Sequence, residues 1–379
     1  MESAATLFVD DIRKEVDQGK LVGAVFMDLS KAFDTVGHAN LIEKLKCYGV
    51  NGRELSWFGD YLFNRTQVVE IEQSLSDPHP LFSGVPQGSI LGPLLFLIYF
   101  NDLPDCLTNA KVIMYADDTV VYHASDKIEK IESVLNSEFK NIFDYINDSE
   151  LILNLKKGKT ETMLFGTAKK LSNLPHPLQI KYNSYTINTT TEYNYLGNTI
   201  TPTLNFDRQF RSKCRKASGR VSLLSKVRPY LTVEAAEKVY NAMIAPIFLY
   251  CCIINLQLTA TQRRSLEKIE ERSSRIIFLN GEKRVPSIYS ERSRRACLVV
   301  RKCTDNVVCS PMKNYFKLNE HAVRTRNQGI LVRIPKIKLE LGKKAFFFSG
   351  AKLHNTLSVD IRSTTNFMSF SNKLKNVHF

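Results

Sequence analysis

The stretch Val112-Ile113-Met114-Tyr115-Ala116-Asp117-Asp118-Thr119-Val120-Val121-Tyr122 constrains this chain more than any other. Two adjacent carboxylates lie between short apolar runs rich in Val, Ile, Tyr and Thr, residue types that favour strands. Runs of this length around a polar pair predict strand–turn–strand, with Asp117 and Asp118 at the tip of a hairpin. Side-by-side carboxylates repel, and a divalent cation that prefers carboxylate oxygens would stabilise both. A surface turn that merely uses Asp is the other reading of the same residues.

A third acid is delivered in a similar way. Leu21-Val22-Gly23-Ala24-Val25-Phe26-Met27 is a near-continuous apolar run that ends at Asp28. It predicts a buried strand over 21–29 with a carboxylate near its C-terminal end. Taken alone, Asp28 would serve equally well as the N-cap of a helix beginning just after it. Further on, Gly84-Val85-Pro86-Gln87-Gly88-Ser89-Ile90-Leu91-Gly92-Pro93 predicts an irregular loop entering a buried helix over 94–103. Gly88 would permit a close backbone approach that a Cβ blocks, and Gln87 offers both a donor and an acceptor.

Around these motifs the periodicity predicts helices over 4–18, 39–48 and 52–64, a strand over 67–71 and a turn at 76–80. An amphipathic helix over 127–146 is accounted for by core packing. Short strands over 151–155 and 161–165 flank the basic turn Lys156-Lys157-Gly158-Lys159-Thr160, residues 171–177 form a loop, and another β element starts at 193–197. Helices follow over 208–228, 233–250 and 261–279. The first is strongly basic, with Val221, Leu223 and Leu224 supplying some apolar face.

Charge divides the chain. Residues 1–200 carry a balance of −8 and residues 201–379 a balance of +22. An acidic half joined to a basic half suggests a site that handles cations and a surface that handles a polyanion. Nucleic acid is the expected polyanion, because its phosphates attract Lys and Arg along their whole length. The eight cysteines include no C-x-x-C pair and read as free thiols. Cys297, Cys303 and Cys309, with His321 beyond, do not match a common zinc spacing. The apolar runs Ile90–Phe100 and Ala242–Ile254 fall short of the ~18 residues that a membrane-spanning helix needs, so no membrane partner is expected.

The motifs together resemble the reverse transcriptases of non-LTR (LINE-type) retrotransposons. Phe26-Met27-Asp28-Leu29-Ser30-Lys31-Ala32-Phe33-Asp34-Thr35-Val36, then residues 84–93, then Tyr115-Ala116-Asp117-Asp118 come in that family's order. Lys159-Thr160 is similar to the next motif and Tyr195-Leu196-Gly197 to the one after. The resemblance implies an α+β fold: a right-hand polymerase palm, made of a small antiparallel sheet backed by helices, then an α-helical thumb and a basic C-terminal region. The implied boundaries are 1–200, 201–280 and 281–379.

The resemblance also implies roles. Asp28, Asp117 and Asp118, with the carbonyl of Leu29, would hold two Mg²⁺ ions for transfer of deoxynucleotides (dNTPs) to a DNA primer on an RNA template. Lys159 would assist at the pyrophosphate, or is a solvated turn lysine. Phe33 would act as a steric gate against a ribose 2′-hydroxyl, or is core. Gln87, Gly88 and Tyr115 would lie at the incoming nucleotide, and Tyr195, Leu196 and Gly197 would form the primer grip. Arg208, Arg211, Lys213, Arg215, Lys216 and Arg220 would run along the nucleic-acid backbone. The C-terminal stretch 348–374 is similar to a tail that often carries Trp where His354 stands here. Because the chain opens just ahead of the first palm acid, most of the fingers are expected to be missing. A weakly active or inactive chain that only binds nucleic acid is the second reading.

Overall fold

The structure is a computed structural model that describes residues 1–182, 185–279, 283–313, 315–319 and 331–379. His321 lies outside the described residues. The chain forms two compact units, one over Lys20–Tyr193 and the other joining Met1–Gly19 to Asn194–Phe379. The N-terminal helix α1 (Glu2–Asp17) therefore belongs with the C-terminal half.

The unit over 20–193 is built on β1 (Leu21–Met27), whose seven residues are all buried. A strand buried on both faces has no polar side to present, which is why the run reads as continuously apolar. The chain continues through α2 (His38–Cys47), α3 (Gly52–Leu62), β2 (Arg65–Gln67), β3 (Glu70–Ile71), β4 (Ser74–Leu75), β5 (His79–Leu81) and α4 (Leu91–Phe100). Next come the hairpin β6 (Lys111–Tyr115) and β7 (Asp118–Ser125), then α5 (Ile128–Asp148), β8 (Glu161–Phe165), α6 (Ala168–Ser172), β9 (Lys181–Tyr182), β10 (Tyr185–Thr186) and β11 (Asn188–Thr189).

The main sheet runs in the order β11-β8-β1-β7-β6. β1 is central and antiparallel to both neighbours, with Met27 opposite Thr119 on β7 and Phe26 opposite Glu161 on β8. On α5 the buried face carries Ile128, Ile131, Leu135, Phe139, Ile142 and Ile146 in the same core as Leu21, Val25 and Met27 of β1. Each such side chain contributes roughly 1.5–3 kcal/mol when taken from water. Glu138 lies on that buried face too. It accepts bonds from the Thr108 N–H and hydroxyl and from the Asn109 N–H, pinning the loop that leads into β6.

Several elements differ from their sequence-based form. The strand expected over 67–71 is split into β2 and β3, because the two pieces take different partners, Gln67 pairing with His79 on β5 and Glu70 and Ile71 with Leu75 and Ser74 on β4. Residues 151–155 make only a bridge between Leu153 and Leu29. The helix expected to be buried after the 84–93 loop leaves Leu94 and Leu97 exposed, as is Ile90 just before it, and buries Leu95, Phe96, Tyr99 and Phe100.

The other unit contains β12 (Tyr193–Tyr195), at whose start the division falls, and β13 (Asn198–Ile200). It continues with α7 (Asp207–Val227), α8 (Val233–Val239), α9 (Ala245–Leu249), α10 (Ala260–Ile277) and α11 (Ile288–Thr304). Short helices α12 (Glu340–Lys343), α13 (Phe346–Asn355), α14 (Val359–Arg362) and α15 (Phe367–Leu374) end it, so the described part of the C-terminal region is mainly helical. α7 buries Phe210, Ala217, Val221 and Leu224, whereas Leu223 is exposed. The single helix expected over 233–250 is interrupted by a π-helical turn over Tyr240–Ile244. Pro246 comes at once after it; it lacks an N–H and crowds the preceding turn, which accounts for the widening.

Helix α1 is tied in by a buried polar network. Asp10 accepts bonds from Arg13, the Tyr315 hydroxyl and the N–H groups of Phe346 and Phe347. Arg13 also donates to the carbonyls of Ile254 and Lys344. Two turns beyond Asp10, Asp17 accepts from the N–H groups of Lys338 and Leu339.

Candidate active site

β1 runs out at Met27, so Asp28 leaves the core at the end of the central strand. The β6–β7 pairing closes with Tyr115 opposite Asp118, leaving Ala116 and Asp117 as the tip. Ala116 has φ +54, a left-handed conformation rare for a residue with a Cβ. Strain of this kind costs on the order of 1 kcal/mol and is retained where the surrounding pairing over-determines it. Because β7 lies beside β1, the strand end and the hairpin tip fall at the same end of the sheet.

Asp118 feels both of the other acids there. Partial desolvation, then the charges of Asp117 and Asp28, raise the pKa of Asp118, and Lys159 opposes them. Asp118 is exposed by surface area. Hydration therefore limits the first contribution, and crowding by two like charges is the part that identifies a cluster. The phenol of Tyr193 is likewise pushed well above its usual range by burial and by Asp118 and Asp28. Its ring stacks on Phe26 at 4.2 Å between centroids, and its hydroxyl donates to the Lys159 carbonyl at 2.9 Å.

Asp28 is held on several sides. Asn154 Nδ2 donates to Asp28 Oδ2 at 2.9 Å, and Lys159 Nζ lies 3.4 Å from Oδ1. The Asn154 N–H donates to the Asp28 carbonyl at 2.8 Å, and the Ser30 N–H to the Ile152 carbonyl at 2.8 Å. These bonds flank Leu29, so its own N–H and C=O point away from the 152–154 segment.

Phe33 is half-buried against Phe96, at 4.6 Å between ring centroids. Gln87 is exposed and donates to Asp34 Oδ1 at 2.7 Å. Gly88 has φ +84, and a Cβ there would meet no protein atom within 4 Å, so within the chain its backbone conformation, not a close approach, calls for glycine. The close approach lies at Gly84, where a Cβ would fall 2.9 Å from the Asp34 carbonyl oxygen. Tyr115 is exposed beside the hairpin tip.

The remaining residues singled out from the sequence belong to the other unit. Tyr195 and Leu196 are buried, and Leu196 has φ +48 and Gly197 φ +70. The Leu196 carbonyl accepts from the Tyr250 hydroxyl at 2.9 Å. On α7, Arg208, Arg211, Arg215 and Lys216 are exposed. Lys213 instead donates to the Tyr250 carbonyl at 3.1 Å and lines a cavity of about 20 Å³ with Arg292. Burial, then the Arg292 charge, brings its pKa down to about 8. Arg220 donates to the Met243 carbonyl in the π turn.

Sequence reasoning passed over Asn154, Asp34 and Tyr193. Asn154 carried a signal, being the first polar residue after the apolar run Leu151-Ile152-Leu153. Asp34 and Tyr193 become visible only through contacts distant in sequence.

Among the described residues no three His, Cys, Asp or Glu side chains stand as a ready-made metal-holding group. The donor set nevertheless fits a hard divalent cation. It consists of carboxylate oxygens and an adjacent carbonyl, and the mutual repulsion felt at Asp118 is what such a cation would relieve.

The sheet expected to be antiparallel is so for β8, β1, β7 and β6, but the short β11 runs parallel to β8. This sheet on helices, with carboxylates at the end of its central strands, is an α+β fold of the polymerase class. The chain belongs to the reverse transcriptase (RNA-dependent DNA polymerase) family, which residues 3–200 match. It is 29% identical over 256 residues to a probable RNA-directed DNA polymerase from transposon BS of Drosophila melanogaster, covering 63% of this chain and 27% of that protein. It is 28% identical over 314 residues to the RNA-directed DNA polymerase from mobile element jockey of the same species, covering 79% and 32%. These matches support a LINE-type reverse transcriptase. The chain thus spans about a third or less of the length of these curated relatives. Among solved structures, apo telomerase from Candida tropicalis aligns with a TM-score of 0.40 at 10% identity, over 83% of this chain and 56% of that one. Members of the reverse transcriptase family generally use divalent metal ions.

Proposed function

We propose that this chain is the palm and thumb portion of an RNA-directed DNA polymerase of a non-LTR retrotransposon, which adds dNTPs to a primer 3′-hydroxyl on an RNA template. The observation that carries the reading is the strand pairing that sets Asp28, at the end of β1, beside Asp117 and Asp118 on the adjoining β6–β7 hairpin, with Lys159 3.4 Å from Asp28, in a chain of this family. In this reading the palm falls within 1–200, its compact body being Lys20–Tyr193 while α1 packs in the other unit, and the thumb takes 201–280 and a basic C-terminal region 281–379.

Asp28, Asp117 and Asp118, with the Leu29 carbonyl, would hold two Mg²⁺ ions. Such a pair, when bound, acidifies the attacking hydroxyl and neutralises charge on the leaving pyrophosphate. The chain's own residues supply the rest. Lys159, half-exposed on its turn, would offer charge or a proton toward pyrophosphate. Phe33 has its inner face on Phe96, and its open side would collide with a 2′-hydroxyl. Gln87, steadied by Asp34, would lie with Gly88 and Tyr115 along the nucleotide.

With Tyr195 and Leu196 buried, the 195–197 turn would meet a primer through its backbone. The exposed face of α7, Arg208, Arg211, Arg215 and Lys216, would track the phosphates. Lys213 and Arg220, engaged with carbonyls, would brace that surface from behind.

The test is extension of a DNA primer annealed to RNA, with dNTPs and Mg²⁺. Extension by the wild-type chain should fall roughly 10²–10³-fold or more in Asp117→Asn. Equal extension by the variant would refute the reading.

A further inference from the structure

The segment 152–160 does more than connect a helix to β8. Asn154 touches Asp28 twice: its N–H donates to the Asp28 carbonyl at 2.8 Å and its side-chain amide to Oδ2 at 2.9 Å. Its other polar atoms bind the turn that carries Lys159. Asn154 Oδ1 accepts from the Lys156 N–H at 3.3 Å, and its carbonyl accepts from the Thr160 N–H at 3.2 Å. Thr160 closes the ring, its Oγ1 accepting from the Asp28 N–H at 3.3 Å. A single side chain thus fixes the rotation of the carboxylate and the seat of the lysine that faces it.

The terminal torsion of an aspartate is broad and roughly two-fold, so an unanchored carboxylate samples many orientations. With Oδ2 occupied by an amide donor, Oδ1 is the oxygen turned toward Lys159. An amide also suits this position better than a further charge. It donates to the carboxylate without competing for a cation, as partners behind metal-holding residues commonly do.

We infer that Asn154 is a positioning residue that presents Asp28 Oδ1 to a divalent cation and sets the Lys159 turn beside it. The inference rests on the proposed function of the same site. It predicts a specific defect: loss of the Asn154 amide should weaken cation binding without unfolding the chain, because both of its backbone bonds survive substitution.

The experiment is titration of the nucleotide-free chain with Mn²⁺ alone, read by electron paramagnetic resonance, for wild type, Asp28→Asn, Asn154→Ala and Asn154→Leu. The leucine variant fills the space that alanine empties, and thermal melting checks that each variant is folded. Partners of this kind typically change metal affinity 10–100-fold. The Mn²⁺ dissociation constant should therefore rise about tenfold in both Asn154 variants, with little change in melting. Primer extension by these variants should recover when Mg²⁺ is raised. Tight Mn²⁺ binding that Asp28→Asn abolishes and both Asn154 variants retain would overturn the inference and leave the proposed function standing. Absence of saturable binding by the wild type, or undiminished binding by Asp28→Asn, would overturn both.

Discussion

Asp10 and Asp28 are the same residue type in opposite circumstances. Asp10, on α1, is 1% exposed and faces Arg13, itself fully buried, together with a tyrosine hydroxyl and two backbone N–H groups. Asp28 lies at the rim of the other unit with one amide donor on Oδ2, a lysine 3.4 Å from Oδ1, and two more carboxylates nearby. The first carboxylate is saturated by its own chain, and its charge is spent on holding α1 to the segment around Phe346. The second is under-neutralised and accessible. A buried acid with a full set of donors builds a fold, whereas an accessible acid crowded by like charges is available for a ligand.

Stability measurements can break that contrast. Asp10→Ala removes the anion facing a buried guanidinium, and breaking a buried pair from one side costs about 3–5 kcal/mol. Urea unfolding should register that loss, and the signal should come with release of α1. Asp28→Asn should cost less than about 1 kcal/mol, as expected for a solvent-accessible charge partner. If the two substitutions destabilise equally, Asp28 is a structural acid and the distinction fails.

The pH dependence of stability sharpens the same contrast, because the C-terminal half also buries an ionisable group that must stay neutral. His354 on α13 is 1% exposed and stacks against Phe370. Burial lowers its pKa to about 4, assisted by the charges of Arg362 and Arg301 and opposed by Asn355 and Asp305. An unfolded histidine titrates near 6.5, so between pH 6.5 and 4 the unfolded chain binds the extra proton. Stability from this group therefore falls as pH drops through that window, by roughly 3 kcal/mol in all. Glu270, pushed up to about 7 by burial, acts in the opposite sense over much of the same range. The comparison must accordingly be with His354→Phe. The variant should gain on the wild type steadily as pH falls from 6.5 to 4; a constant difference would mean that His354 is not held neutral.

Much of the chain was legible because its signals are local. The apolar run into Asp28, the paired strands around Asp117 and Asp118, and the period of α5 each define an element without reference to anything distant. The misses arise where a tertiary partner decides. Residues 151–155 read as a strand, yet Asn154 turns its amide to Asp28 and the pairing stops at one bridge. Gly88 suggested a close approach, which the structure shows at Gly84 instead. Lys213 shared the basic pattern of α7, but only the fold reveals that it faces the Tyr250 carbonyl and Arg292. The assignment of α1 to the C-terminal half depends on Asp10, Arg13 and Asp17, whose partners lie more than two hundred residues away.

The central claim is that Asp28 and the Asp117–Asp118 pair of the β6–β7 hairpin hold divalent cations together. Bound Fe²⁺ with ascorbate and peroxide cleaves backbone close to the ion, so mapping the cut sites tests this directly. Cuts are expected near residue 28 and near residues 117–118 together, both suppressed by Mg²⁺ and both lost in Asp28→Asn. Cuts at only one of the two segments, or cuts at 117–118 that persist in Asp28→Asn, would contradict it.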